Sequence, residues 1–180
     1  MFAGKTTELL KRVLWAQNGL SLPVAVFKPA FDKRYSVTDI ASHDGLVAPA
    51  TVIAAWNGVP AAAAHVFFDE VQFFAFPHFD GDIVSIIRAL LTEGRDVTVA
   101  GLDSDWRGAA FVPTAILMAM ADEIVKLSAH CAVCGRVAGK SYKRLTQAAT
   151  DATIQLGGTE LYEPRCRAHW SIAEEIEAVA

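Results

Sequence analysis

The chain has 180 residues, 53% apolar and 20% charged, with 16 basic against 20 acidic side chains and a net charge of −4. That length suits one domain with a small appendage, and the composition excludes a disordered linker. The acidic balance argues against a broad nucleic-acid face, and three cysteines cannot make a disulfide framework; they read as free thiols or metal ligands in a reducing, cytoplasmic compartment.

In chain order, Met1-Phe2-Ala3-Gly4-Lys5 lacks the basic-then-apolar pattern of a signal peptide, since Glu8, Lys11 and Arg12 follow at once. Residues 6–18 read as a helix: Glu8, Leu9, Leu10, Arg12, Val13 and Leu14 fit its period and Asn18-Gly19 ends it. Val24 to Phe27 is a short strand, and Lys28 to Gly45 is polar and irregular. Gly45 to Phe68 carries no charged residue, yet Pro49, Asn57, Gly58 and Pro60 cut it into pieces, so it reads as a strand–helix–strand passage rather than a membrane span. Within it Thr51 to Trp56 is helical or extended, and His65 to Phe68 is a buried strand. Residues 80–93 read as a helix, Val97 to Ala100 as a strand, 113–121 as a helix and Ile124 to Leu127 as a further strand. Strands alternating with helices imply an α/β fold with a mostly parallel sheet. The pattern changes near 130, which divides the chain into 1–129, a small lobe 130–171, and an acidic tail 172–180 that reads as a short helix.

Three features carry chemistry. Gly4-Lys5-Thr6-Thr7 opens a helix and matches the end of the G-x-x-x-x-G-K-[ST] phosphate loop. Helix N–H groups from Gly4 to Thr7 suit ATP phosphates, the Lys5 ammonium reaches the β and γ positions, and the Thr6 hydroxyl suits magnesium. The first glycine of the pattern would fall two residues before Met1, and the launching strand further upstream. The expected fold is therefore P-loop NTPase-like with its first strand missing. Phe67-Phe68-Asp69-Glu70 ends a buried strand in two carboxylates: Asp69 for magnesium, Glu70 for the proton of an acceptor hydroxyl. Val71 to Phe74 then offers either aromatic ligand surface or plain core. The loop Gly101 to Phe111 follows another strand, and its Arg107 suits charge on a transferring phosphoryl group. Finally, Cys131-x2-Cys134 and Cys166-x2-His169 form two ligand pairs. Three thiolates and an imidazole fill a tetrahedral zinc site without room for water, so the role is structural, clamping the base of the 135–165 loop. Gly135 suits the tight turn, and His130 adjoins the set at the wrong spacing.

Together these residues resemble the type II thymidine kinases, the small zinc-containing class. The opening pattern is Met1 to Leu9. Further blocks are Lys28-Pro29, Asp32, Arg34-Tyr35 and Ser42-His43-x-Gly45; Asp69-Glu70-Val71-Gln72-Phe73; Gly101 to Gly108; and Gly157-Gly158-Thr159-Glu160-Leu161-Tyr162 with Cys166-Arg167. The resemblance implies transfer of the γ-phosphoryl of ATP to the 5′-hydroxyl of thymidine or deoxyuridine. It implies Glu70 as base, Arg107 as an active-site arginine, Asp69 serving magnesium, and Lys5 and Thr6 serving ATP. Residues 135–165 would be a lasso over the nucleoside, with Tyr162 near base and sugar, and with Met1, Leu102, Trp106 and Phe111 lining the base pocket. It also implies a homotetramer inhibited by the thymidine triphosphate, while charge and the broken uncharged stretch lead us to expect no nucleic-acid or membrane partner. Two departures stand out: the launching strand and first loop glycine are missing, and Ala109-Ala110-Phe111, close to a Trp106 that replaces the usual Phe, lacks the usual proline. Two other readings stay open: another P-loop small-molecule kinase or ATPase, and a catalytically impaired, zinc-clamped nucleotide-binding module.

Overall fold

A computed structural model describes residues 1–32, 38–42, 45–144 and 154–171. The chain divides into two units, one of Gly4–Leu102 and Val112–Ala121, the other of Met1–Ala3, Asp103–Phe111 and Asp122–Ala180. Arg34, Tyr35, His43 and the acidic tail 172–180 lie outside the described residues, as does 145–153 of the 135–165 loop.

The first unit is built on a parallel sheet. Helix α1 (Lys5–Leu14) buries Leu9, Leu10 and Val13 on one face and runs into a π-helical turn at Trp15–Gly19. Strand β1 (Val24–Pro29) follows. Within the stretch expected to be irregular, Asp39–Ala41 forms β2, which pairs antiparallel with β3 (Val47–Pro49), placing Ile40 opposite Ala48. Next come β4 (Thr51–Ile53), which makes the first half of 51–56 extended, and β5 (His65–Phe68). No helix lies between β3 and β5, so the strand–helix–strand expectation for the uncharged stretch is corrected to three strands and loops. Among the described residues no helix is long and apolar enough to cross a membrane.

Helix α2 (Ile83–Thr92) starts three residues later than the expected 80–93, at the first residue of its apolar stripe, because the Asp82 carboxylate caps it by accepting the Val84 N–H at 3.0 Å. Strand β6 (Asp96–Val99) and helix α3 (Val112–Met120) complete the unit. Sheet order is β4-β1-β5-β6, with every pairing parallel. Alternation along β5 divides its side chains between two cores. Val66 and Phe68 pack with Ile83, Ile87 and Leu117, whereas Phe67 packs with Leu9, Leu10 and Val13. Helices thus cover both faces, as a parallel sheet requires.

The second unit is a set of short hairpins. β7 (Ala129–His130) pairs antiparallel with β8 (Val137–Ala138), and β9 (Lys140–Lys143) with β10 (Tyr162–Arg165). The strand expected at Ile124 to Leu127 is absent: Ile124 and Val125 are exposed, and the first pairing starts only at Ala129. A β-branched run becomes a strand only where another edge offers hydrogen bonds.

Candidate functional site

In the sheet unit, chemistry gathers where β5 and β6 end, the edge at which parallel α/β sheets bind ligands. Gly4 caps α1 with φ 75°, a left-handed conformation natural to glycine, and its carbonyl accepts the Glu8 N–H at 2.9 Å. The N–H groups of the next residues have no acceptor within the helix, so Lys5, Thr6 and Thr7 open an anion-favouring N-terminus. The Thr6 hydroxyl donates to Asp69 Oδ2 at 3.2 Å, and the Glu70 N–H donates to Asp69 Oδ1 at 3.0 Å.

Asp69 is buried. Burial first, then the neighbouring Glu70 charge, raises its pKa to about 7, and Lys5 with the two hydrogen bonds opposes this only in part. A carboxylate so disfavoured gains when a cation joins it, which is the donor chemistry a magnesium ion needs beside the Thr6 hydroxyl.

Glu70 adopts φ 53°, ψ 46°, a left-handed conformation costly for a side chain with a Cβ. Its surroundings hold it there. The Val71 N–H donates to Ala100 O at 2.9 Å, and the Phe73 N–H donates to Glu70 O at 3.0 Å. The buried Gln72 amide donates to Glu70 Oε2 and accepts the Leu102 N–H at 2.9 Å. A Cβ on Gly101 would lie 2.7 Å from Val71 Cγ1 and 2.8 Å from Gln72 Oε1, so only glycine lets this loop approach the turn. Phe73 and Phe74 are buried, Phe74 within the α2–α3 core; these rings are core rather than ligand surface.

In the hairpin unit, the loop Asp103–Phe111 is organised by the buried Asp105 carboxylate, which accepts the N–H groups of Arg107 and Ala109, both at 2.9 Å. This presents Trp106, which packs with Met1, Phe2, Leu161 and Tyr162. The Arg107 guanidinium lies 4.3 Å from the Trp106 ring centroid and the Lys143 ammonium 5.2 Å from it. The Met1 nitrogen donates to Ser141 Oγ at 2.8 Å, and the Tyr162 hydroxyl donates to Gln155 O at 2.8 Å. Phe111 stands outside this cluster; its N–H donates to Asp103 O at 3.0 Å. Leu102 belongs to the sheet unit, where its backbone serves Gln72. Sequence reasoning missed Lys143, which alternation along β9 turns inward with Ser141.

The same unit brings all four expected metal ligands together. Ligand atoms of Cys131, Cys134, Cys166 and His169 lie within 4.8 Å of one another. Cys134 Sγ and Cys166 Sγ are 3.8 Å apart, and His169 Nδ1 is 3.4 Å from Cys166 Sγ and 3.7 Å from Cys131 Sγ. A tetrahedron with Zn–S about 2.3 Å and Zn–N about 2.0 Å demands separations of roughly 3.5–3.8 Å; these three distances are close to that, and the donor set of three thiols and an imidazole suits zinc. Two knuckle turns shape it: Gly135 N–H to Cys131 O at 2.9 Å and His169 N–H to Cys166 O at 3.0 Å. His130 is outside the set, its Nδ1 3.0 Å from Gly135 O. Beyond the cluster, the Arg165 guanidinium donates to His169 O at 3.2 Å and supports that ligand from behind.

The family model described as thymidine kinase matches residues 1–170 of the chain.

Proposed function

The chain belongs to the thymidine kinase family, and on that premise we propose that it is a type II enzyme transferring the γ-phosphoryl of ATP to the 5′-hydroxyl of thymidine or deoxyuridine. The observation that carries this reading is the cluster of Thr6, Asp69 and Glu70 at the carboxyl edge of a parallel sheet, in a chain with that family match.

Glu70 accepts the 5′-hydroxyl proton as that oxygen bonds to the γ-phosphorus and the bond to the bridging oxygen breaks, leaving ADP and the 5′-monophosphate. The left-handed turn and the Gln72 amide fix the direction of the carboxylate, so little reorganisation is left for the transition state. ATP brings the phosphoryl group, and magnesium offsets charge on its oxygens. Lys5 and the amides at the start of α1 bind those phosphates; Asp69 and the Thr6 hydroxyl hold the metal. Arg107 neutralises charge on the transferring group. Met1, Leu102, Trp106, Phe111 and Tyr162 hold the nucleoside, and zinc on Cys131, Cys134, Cys166 and His169 is structural. A cytoplasmic homotetramer restrained by the thymidine triphosphate completes the reading.

Its test is thymidine phosphorylation by the parent and by Glu70→Gln. The amide keeps shape and hydrogen bonding but takes no proton, so kcat falls by about 10²–10⁴ while thymidine binding measured by calorimetry persists. Turnover within threefold of the parent removes Glu70 as the base. ATP consumption that ignores thymidine favours an ATPase instead.

A further inference from the structure

We infer that the Trp106 indole N–H is a specificity-determining donor that takes a carbonyl oxygen of the pyrimidine base. This deepens the kinase reading and rests on it.

Trp106 is 7% exposed, and its Nε1 is buried without a hydrogen-bond partner among the described residues. An indole nitrogen can only donate, and buried donors in native proteins are almost always paired. The surroundings explain why no protein group accepts. The charged groups over the ring, Arg107 at 4.3 Å and Lys143 at 5.2 Å, carry donors alone. Leu161, Phe2 and Met1 offer no oxygen or nitrogen from their side chains, and the Tyr162 hydroxyl, which donates to Gln155 O, makes no hydrogen bond with the indole. An unmade N–H with two cations beside its ring suits an uncharged or anionic oxygen acceptor. A 2,4-dioxopyrimidine presents two such oxygens. Cytosine replaces one of them with an amino group, which would oppose donor to donor. The phenylalanine usual at this position has no N–H, so a family member with Trp106 gains a polar contact that its relatives cannot form.

The experiment compares parent and Trp106→Phe on thymidine, 2-thiothymidine and 4-thiothymidine, because a thiocarbonyl is a poor acceptor. The variant should raise KM for thymidine about 3–10-fold with kcat within twofold, as one neutral hydrogen bond predicts. For one thio analogue, the one altered at the recognised oxygen, parent and variant should have equal KM. Equal losses on all three substrates mean packing alone, and no loss means no contact; either overturns the proposal. In the parent, the ¹⁵N–¹H resonance of the Trp106 indole, assigned by its disappearance in Trp106→Phe, should move downfield on adding thymidine. A resonance that stays in place, as for an N–H kept by water, also overturns it. Zinc content is measured alongside, and a variant that loses zinc hands the decision to the analogue series and resonance in the parent. A parent that neither binds nor phosphorylates thymidine instead fails the kinase reading, which is seen before any variant is made, and the proposal falls with it.

Discussion

At Asp69 two demands meet in one carboxyl group. The fold buries it, while the Thr6 hydroxyl and the Glu70 N–H use both of its oxygens as hydrogen-bond acceptors. Its folded pKa of about 7 stands above the value near 3.9 of an unfolded carboxylate. Between those values the folded chain keeps a proton that the unfolded chain has released. By linkage this group therefore makes stability fall as pH rises from about 4 to about 7, with the full penalty present above that window. Asp69→Asn keeps an acceptor for the Glu70 N–H but cannot ionise. In buffer free of magnesium and nucleotide, urea unfolding should show Asn gaining on Asp by about 1–4 kcal/mol between pH 4 and pH 8. Parallel stability curves across that range would mean that Asp69 is not strained by its burial. Magnesium should narrow the gap at pH 8, because it removes the penalty in the parent alone.

At the element scale, the turn after β5 depends on the loop after β6. Gly101 has an ordinary backbone conformation, so alanine is excluded there by space and not by φ. A methyl group would push on Val71 and on the Gln72 amide that holds Glu70. Gly101→Ala should cost about 1–3 kcal/mol by overpacking. Because the displaced group positions the proposed base, kcat should fall further than the remaining folded fraction explains. Unfolding and turnover measured on one preparation check this, and a variant with parental kcat at full folding would separate Gln72 from catalysis. The carboxylates at the end of β5 and the glycine at the start of α1 are legible in sequence because the first follow an unbroken apolar run and the second opens a helical period. What the period cannot show is the left-handed turn at Glu70, which long-range contacts impose. The β2–β3 hairpin was hidden for a related reason: two strands of three residues, one in a polar stretch and one in an uncharged stretch, are too short to display alternation. Lys143 was hidden because lysine is by default a surface residue, and only the pairing of β9 with β10 turns it inward. At 124–127 the error ran the other way, since β-branched residues gave a strand signal with no edge to satisfy it.

Across the whole molecule the two units obtain their stability from different sources. The sheet unit has two apolar clusters around fully buried Phe67 and Phe68. The hairpin unit has strands of two to four residues, and its apolar contacts are divided between the Trp106 group and a small group of Cys131, Ala138 and Cys166. Isolated two-stranded hairpins are marginal in water, so the four-ligand set must supply what the core does not. Structural zinc contributes about 10–16 kcal/mol of apparent binding energy in small zinc domains, and that energy is folding energy. Chelation, or Cys134→Ser, should therefore act unevenly. Hydrogen exchange should accelerate by tenfold or more at amides of 129–144 and 162–169, while β1, β5 and α2 keep their protection. Uniform acceleration would mean that zinc supports the sheet as much as the hairpins; unchanged exchange after verified zinc loss would remove the metal from the stability of either unit. In the expected pattern the metal-depleted chain keeps Thr6, Asp69 and Glu70 in place while losing the Trp106 group. ATP should then still bind, thymidine should not, and a calorimetric titration with each ligand before and after chelation tests that separation directly.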